Sequence, residues 1–225
     1  MASPRTDWEQ RISDLITESK KHDQIYSAPI GGYTVHVHPT VYSPKYFPET
    51  LWYGENLPDI VQGRSFLEVG IGSGLISLCV AASGSKVSGV DINPHAVDVA
   101  RKNFAVNGQK GNFVVSDIFE NVCGKFDFIF WNHPWQIDAS IPKELKSEKT
   151  LDQGYRLLKR FIAEAEDYLE PDGCVMLGTS AYADLEAMEA IYAANGYTHR
   201  VIEQGTRSIG EGITEEYYIV ELRRN

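Results

Sequence analysis

The stretch Phe66-Leu-Glu-Val-Gly-Ile-Gly-Ser-Gly74 decides how the chain is read. Its first four residues have the composition of a buried strand. Gly70, Gly72 and Gly74 form a loop, and an apolar helical pattern follows from Leu75 to Ala82. Glycines at alternate positions permit a tight turn and let a ligand lie directly against the backbone. The helix that follows offers unpaired N–H groups and the positive end of its dipole. A second strand, Lys86 to Val90, ends in Asp91, where a carboxylate is placed to accept hydrogen bonds from two ribose hydroxyls. Together these features describe a nucleoside-binding crevice at the carboxyl ends of parallel strands.

Outward from this stretch the chain alternates strand and helix. A helix near 94–107 opens at Asn93-Pro94 and closes at Asn107-Gly108, with proline in the first turn where its missing N–H costs nothing. A strand at 112–116 ends at Asp117-Ile118-Phe119, and another at 126–131 ends at Asn132-His133-Pro134-Trp135. A helix over about 154–169 precedes Pro171-Asp172-Gly173, a strand at 174–179 and a helix over 183–194. Two strands near 197–204 and 216–223 finish the chain, with the glycine-containing 205–214 read as a long loop between them. The polar, poorly periodic residues 136–153 read as a functional loop forming part of a substrate wall.

The glycine spacing separates two kinds of nucleoside site. A dinucleotide fingerprint, G-x-G-x-x-G, needs glycine where Leu75 stands. The pattern Glu-Val-Gly-x-Gly-x-Gly, with an acid ending the next strand, resembles the first two motifs of class I S-adenosylmethionine-dependent methyltransferases. The alternative is a glycine-rich turn in another α/β protein. The resemblance implies an α/β, Rossmann-like, mostly parallel sheet of seven strands, ordered 3-2-1-4-5-7-6 with strand 7 antiparallel and helices on both faces. It places that domain at residues 60–225, with residues 1–59 as a capping segment. It also implies that S-adenosylmethionine is held by Glu68, Gly70, Gly72, Gly74, Asp91 and Ile92, with Asp117 against the adenine amino group and the backbone of Ile118 facing the ring.

Asn132-His133-Pro134-Trp135 resembles the Asn-Pro-Pro-Tyr motif of methyltransferases that modify amide or exocyclic amine nitrogens, the "methyltransferase small domain" group. The resemblance implies that Asn132 and the His133 carbonyl accept hydrogen bonds from the target NH₂, that Asn132 also borders the cofactor, and that Trp135 stacks on the target plane. Such chemistry needs a lone pair aimed and a proton received, with little covalent help. Two departures stand out. His replaces the first proline and is either a proton acceptor near neutral pH or a polar turn residue. Trp replaces Tyr, and its broader plane also suits a cation. The expected activity is methyl transfer to a nitrogen of a small molecule or protein side chain. Two other readings stay open: an enzyme that uses the aminocarboxypropyl arm of the same cofactor, by cyclisation to azetidine-2-carboxylate or by transfer, and a non-catalytic module that only binds it.

Residues 7–21 carry Trp8, Ile12, Leu15 and Ile16 at helical spacing, either a lid over the site or plain packing. His36 and His38 share one face of a strand, but no third metal ligand follows from the spacing. The aromatic and proline-rich 39–53 reads as extended or turned rather than helical. It would wall the pocket, with Tyr46 against the substrate, or form a packed linker. Cys79, Cys123 and Cys174 read as buried free thiols.

The 225 residues fit one α/β domain with an N-terminal extension. A net charge of −10, with basic residues scattered, argues against a nucleic-acid substrate, which calls for a basic patch. No apolar run is long enough to span a bilayer. The first residues lack an apolar secretory core, so the expectation is a cytoplasmic protein.

Overall fold

The computed structural model describes residues 4–136 and 151–224. The chain opens with α1 (Arg5–Ser19), the hairpin β1 (Tyr26–Ile30) and β2 (Tyr33–Val37), and α2 (Glu49–Val61). The alternation follows as β3 (Ser65–Val69), α3 (Leu75–Ala82), β4 (Lys86–Asp91), α4 (Pro94–Val106), β5 (Asn112–Val115) and β6 (Phe126–Asn132). The last elements are α5 (Arg156–Glu164), β7 (Leu169–Ser180), α6 (Leu185–Ala194), β8 (Tyr197–Gly210) and β9 (Ile213–Arg224).

The seven-stranded sheet has the order β5-β4-β3-β6-β7-β9-β8. Counted from β3, this is the expected 3-2-1-4-5-7-6. Strands β3 to β7 pair in parallel, and β9 runs antiparallel to both β7 and β8. The pleat sends alternate side chains to opposite faces, so two cores form. Phe66, Phe128, Phe130 and Met176 join Tyr53, Leu57 and Ile76 on one face. Leu67, Ile129, Trp131 and Leu177 join Leu158, Phe161 and Tyr192 on the other.

The aromatic segment is turned over 39–48, as expected, but departs from its expected form from Glu49 on. Glu49 starts a helix directly after Pro48, and Trp52 and Tyr53 lie on the buried side of α2. Proline before the first helical residue leaves the helix ladder intact, which is why a helix can start directly after Pro48. The helix crosses residue 60 and packs Gly54 on α3, where a Cβ would come 2.9 Å from the Cys79 sulfur.

The last strands depart too. The 205–214 stretch is not a long loop, because β8 and β9 pair almost to their tips across Glu211-Gly212. Both residues have positive φ, 55° and 75°, the backbone that two-residue hairpin turns need. The register shift between Ser208 and Gly210 absorbs the extra residue. On this extended hairpin α1 seats Trp8, Ile12, Leu15 and Ile16, against Ile209 and Tyr182, and the Arg11 guanidinium donates to the Ile209 carbonyl at 2.8 Å. Of the three cysteines, Cys79 and Cys174 are buried as expected but Cys123 is exposed. The stretch 137–150, read as part of the substrate wall, lies outside the described residues. Among the described residues no helix is long and apolar enough to cross a membrane.

Candidate active site

One cleft of about 930 Å³ opens above the carboxyl ends of β3, β4 and β6. Three backbone devices shape its first half. Gly70, Gly72 and Gly74 all have positive φ, between 54° and 77°. At Gly74 a Cβ would also come 3.0 Å from that of Ala100 on α4, so side chains are disfavoured on two counts. Glu68, buried on β3, accepts hydrogen bonds from the Ser77 amide and hydroxyl inside α3. Burial pushes its carboxyl up to about 8, against the lowering effect of those two bonds. Asp91 takes the amide N–H of Gly72 on one oxygen and that of Asn93 on the other, both at 2.9 Å. Burial raises its pKa and the two N–H groups oppose the rise. Asn93 then caps α4 by accepting the His95 amide and ties down Thr40 through its side-chain nitrogen.

Glu68, Gly70, Gly72, Asp91, Ile92, Asp117, Ile118, Asn132, His133 and Trp135 line this one cleft. Gly74 acts behind it as the turn into α3. Ile92 is an exposed apolar residue at the rim. Ile118 has φ of 52°, uncommon for a β-branched residue, and its carbonyl accepts the Ser116 hydroxyl. Asp117 is half-exposed and paired with Arg160 of α5 at 2.7 Å, a partner that the sequence reading did not supply. Tyr46 is not among the lining residues. It belongs to the α1 cluster, and its hydroxyl meets His22 Nε2 at 2.8 Å. The tyrosine of this segment that does line the cleft is Tyr42.

At the end of β6 two neighbouring residues keep buried acceptors without partners. Asn132 Oδ1 has none among the described residues, and neither has His133 Nε2. His133 is only 2% exposed. Its Nδ1–H donates to the Pro134 carbonyl at 2.9 Å, which leaves Nε2 as a bare lone pair. Burial drives the ring's pKa down to about 4, so the proton-accepting histidine near neutral pH expected from the sequence gives way to a neutral hydrogen-bond acceptor. Trp135 is held in place: its indole N–H donates to the Gly178 carbonyl at 3.2 Å, and its own carbonyl accepts the Tyr155 hydroxyl.

The same cleft has an acceptor side, where the lid and wall readings of 7–21 and 39–53 placed Trp8, Ile12, Tyr42 and Glu49, and where sequence reading missed Glu215. Trp8 and Ile12 of α1, Tyr42, Glu49 at the start of α2 and Glu215 of β9 line it. Glu49 and Glu215 are 2% and 1% exposed. Glu215 accepts the Ser180 hydroxyl at 2.9 Å and the Tyr217 hydroxyl at 3.0 Å.

Residues 32–206 match the family model of the methyltransferase small domain, and the chain belongs to that family. It is 38% identical over 156 residues to the "putative protein N5-glutamine methyltransferase" of Methanocaldococcus jannaschii, a match covering 66% of this chain and 76% of that one. It is 32% identical over 111 residues to the ribosomal RNA small subunit methyltransferase C of Alcanivorax borkumensis, covering 49% of this chain but only 30% of the relative. Among solved structures, the 16S rRNA N2 G1207 methyltransferase of T. thermophilus, in complex with AdoMet and guanosine, superposes with a TM-score of 0.63 at 23% identity, covering 90% of this chain and 50% of that one. The protein is a class I methyltransferase that uses S-adenosylmethionine. The free acceptors at Asn132 and the glycine backbone beside Asp91 fit that cofactor and an acceptor next to it.

These relatives correct one expectation. Net charge argued against nucleic acid, yet ribosomal RNA methyltransferases are among the relatives. Overall charge speaks to the grip on phosphates, whereas the group that is modified is chosen by what fits at the reacting centre.

Proposed function

We propose that the protein transfers the methyl group of S-adenosylmethionine to a nitrogen of a planar amide or amine. The observation that carries this reading is the pair of buried acceptors on consecutive residues, Asn132 Oδ1 and His133 Nε2, neither with a partner among the described residues. An NH₂ group has two N–H bonds to give and a lone pair to aim. Two acceptors fixed at a strand end would hold it with that lone pair free, which is the positioning that methyl transfer needs. A buried acceptor left empty costs about 1–3 kcal/mol, a cost removed when the substrate binds. Glu68, Gly70, Gly72, Asp91 and the Asp117-Ile118 turn would hold the cofactor. Residues 1–59 would close the acceptor side through Trp8, Ile12 and Tyr42.

The test is to incubate the protein with S-adenosylmethionine and a panel of acceptors: a glutamine-bearing peptide, a guanosine-containing RNA and simple amines. Mass spectrometry then identifies the products. The expected outcome is S-adenosylhomocysteine together with an N-methylated acceptor. Methylthioadenosine instead would assign the aminocarboxypropyl chemistry, and cofactor binding without any product would leave a binding module.

A further inference from the structure

The cleft that Asn132 lines has an acceptor-side compartment with two carboxylates that the methyl-transfer reading does not use. Glu49 and Glu215 come from opposite ends of the chain, both are almost fully buried, and both line the same cleft. Glu215 is satisfied by two hydroxyls, from Ser180 and Tyr217. Glu49 is satisfied only in part: the Tyr42 hydroxyl faces its carboxyl, but its Oε1 is buried in the cleft wall with no hydrogen-bond partner among the described residues. Neither carboxylate is ion-paired among the described residues, whereas the buried Glu221 takes both Arg200 and Arg223. Two buried like charges without a counter-ion are unfavourable unless a proton or a bound cation lies between them. The walls are aromatic. Trp8 and Tyr42 line the cleft with Trp135, whose ring lies 6.1 Å from that of Tyr217. Carboxylates set among aromatic faces form a site for an organic cation.

We propose that this compartment binds a cationic nitrogen group of the acceptor substrate, an alkylammonium or guanidinium, through Glu49 and Glu215, while a second and neutral nitrogen of the same substrate sits at Asn132 as the nucleophile. This rests on the reading of the cleft as a nitrogen methyltransferase site and narrows its substrate to molecules or basic side chains with two nitrogen groups. Burial raises both carboxyls, with repulsion from Glu215 adding to the rise at Glu49. The other titratable groups facing the pair are Tyr42, Tyr53, Tyr182 and Tyr217, all phenols that burial keeps neutral. The pair therefore exchanges its proton for the ligand's charge, and binding strengthens as pH rises from 6 to 9.

The experiment is calorimetry on the full chain loaded with S-adenosylhomocysteine. The probes are n-butylguanidinium, its neutral isostere n-butylurea, agmatine, a short arginine peptide and guanosine. The expected result is binding of n-butylguanidinium about tenfold or more above n-butylurea, stronger at pH 9 than at pH 6. Glu49→Gln and Glu215→Gln should each remove about tenfold of that affinity and leave S-adenosylhomocysteine affinity within about twofold. Agmatine binding more tightly than the peptide would assign a free amine, and the reverse a protein side chain. Equal or absent binding of the two butyl probes by protein that binds S-adenosylhomocysteine would overturn the inference and leave the methyltransferase reading standing. Guanosine binding that needs both carboxylates, without guanidinium binding, would overturn it in favour of a base edge. Loss of S-adenosylhomocysteine affinity in the glutamine variants would overturn it by giving the pair to the cofactor's own ammonium. Failure of the wild-type chain to bind S-adenosylhomocysteine would bring down the underlying reading itself. Should Glu215→Gln fail to fold, the Glu49→Gln variant and the wild-type pH series decide the question alone.

Discussion

On one side of the cleft Asp91 is held by two backbone N–H groups from its own neighbourhood, Gly72 in the preceding loop and Asn93 two residues on. On the other side Glu49 and Glu215 meet across the fold, from the first turn of α2 and the start of β9. Both regions bury carboxylates. The first satisfies them with local backbone donors, as Glu68 is satisfied by Ser77, and the second leaves Glu49 Oε1 without a donor among the described residues. The difference teaches where binding free energy is kept in reserve. A satisfied carboxylate fixes a loop before the ligand arrives, whereas an unsatisfied one gains most when the ligand supplies what is missing.

Asn132 lines the same cleft as both groups, and the largest effect is expected there. Asn132→Ala should lower turnover by on the order of 10²–10³ while S-adenosylhomocysteine affinity stays close to wild type, because the contact is completed only at the reacting centre. Steady-state rates alongside calorimetry check this. Wild-type turnover in the variant would break the link between the halves of the cleft and remove the main reason for a nitrogen nucleophile.

A smaller effect is expected on the cofactor side. Asp91→Ala should weaken S-adenosylhomocysteine binding by about 1.5–3 kcal/mol, the range for hydrogen bonds to a charged group. It also frees the amides of Gly72 and Asn93, so part of the loss is loop order. Calorimetry and a melting curve separate the contributions. Unchanged affinity with a collapsed melting temperature would make Asp91 purely structural and erase its contrast with Glu49.

The contrast also explains what could be read from the sequence. Gly70, Gly72, Gly74 and Asp91 lie within one βαβ unit, so spacing carries their geometry, and the sheet order followed from the family resemblance that those residues carry. Asn132 and Trp135 were legible as a short motif at a strand end. The acceptor compartment had no such local signature. Glu49 sat in a proline-rich run taken as non-helical, although Pro48 directly before a helix is compatible with its first turn. Glu215 stands just past 205–214, which Gly205, Gly210 and Gly212 make read as a loop, and just before the strand expected from 216. In the fold Gly205 lies inside β8, leaving room for the Trp52 ring, and only Glu211-Gly212 form the turn. The acid–glycine pair was the available signal. The depressed pKa of His133 was illegible for another reason, since burial by residues distant in sequence sets it.

The smallest effect tests the Glu49 side by itself, without any ligand. Burial raises Glu49 from an ordinary 4.5 to about 8. A carboxyl whose folded pKa lies above its unfolded value keeps a proton in the native state that the unfolded chain releases. Its contribution is therefore fully present below about pH 4.5 and is lost as pH rises through about 8. Glu49→Gln keeps the shape but has no charge to bury. At pH 9 the variant should be more stable than wild type by about 1–2 kcal/mol, a rise in melting temperature of roughly 2–8 °C for a chain of this size. At about pH 4 and below the two should converge, because Glu49 is then largely protonated in both states. Melting curves across that pH range read the difference directly. A glutamine variant that is less stable at every pH would mean that Glu49 is a settled structural acceptor like Glu68, and the two sides of the cleft would then be built alike.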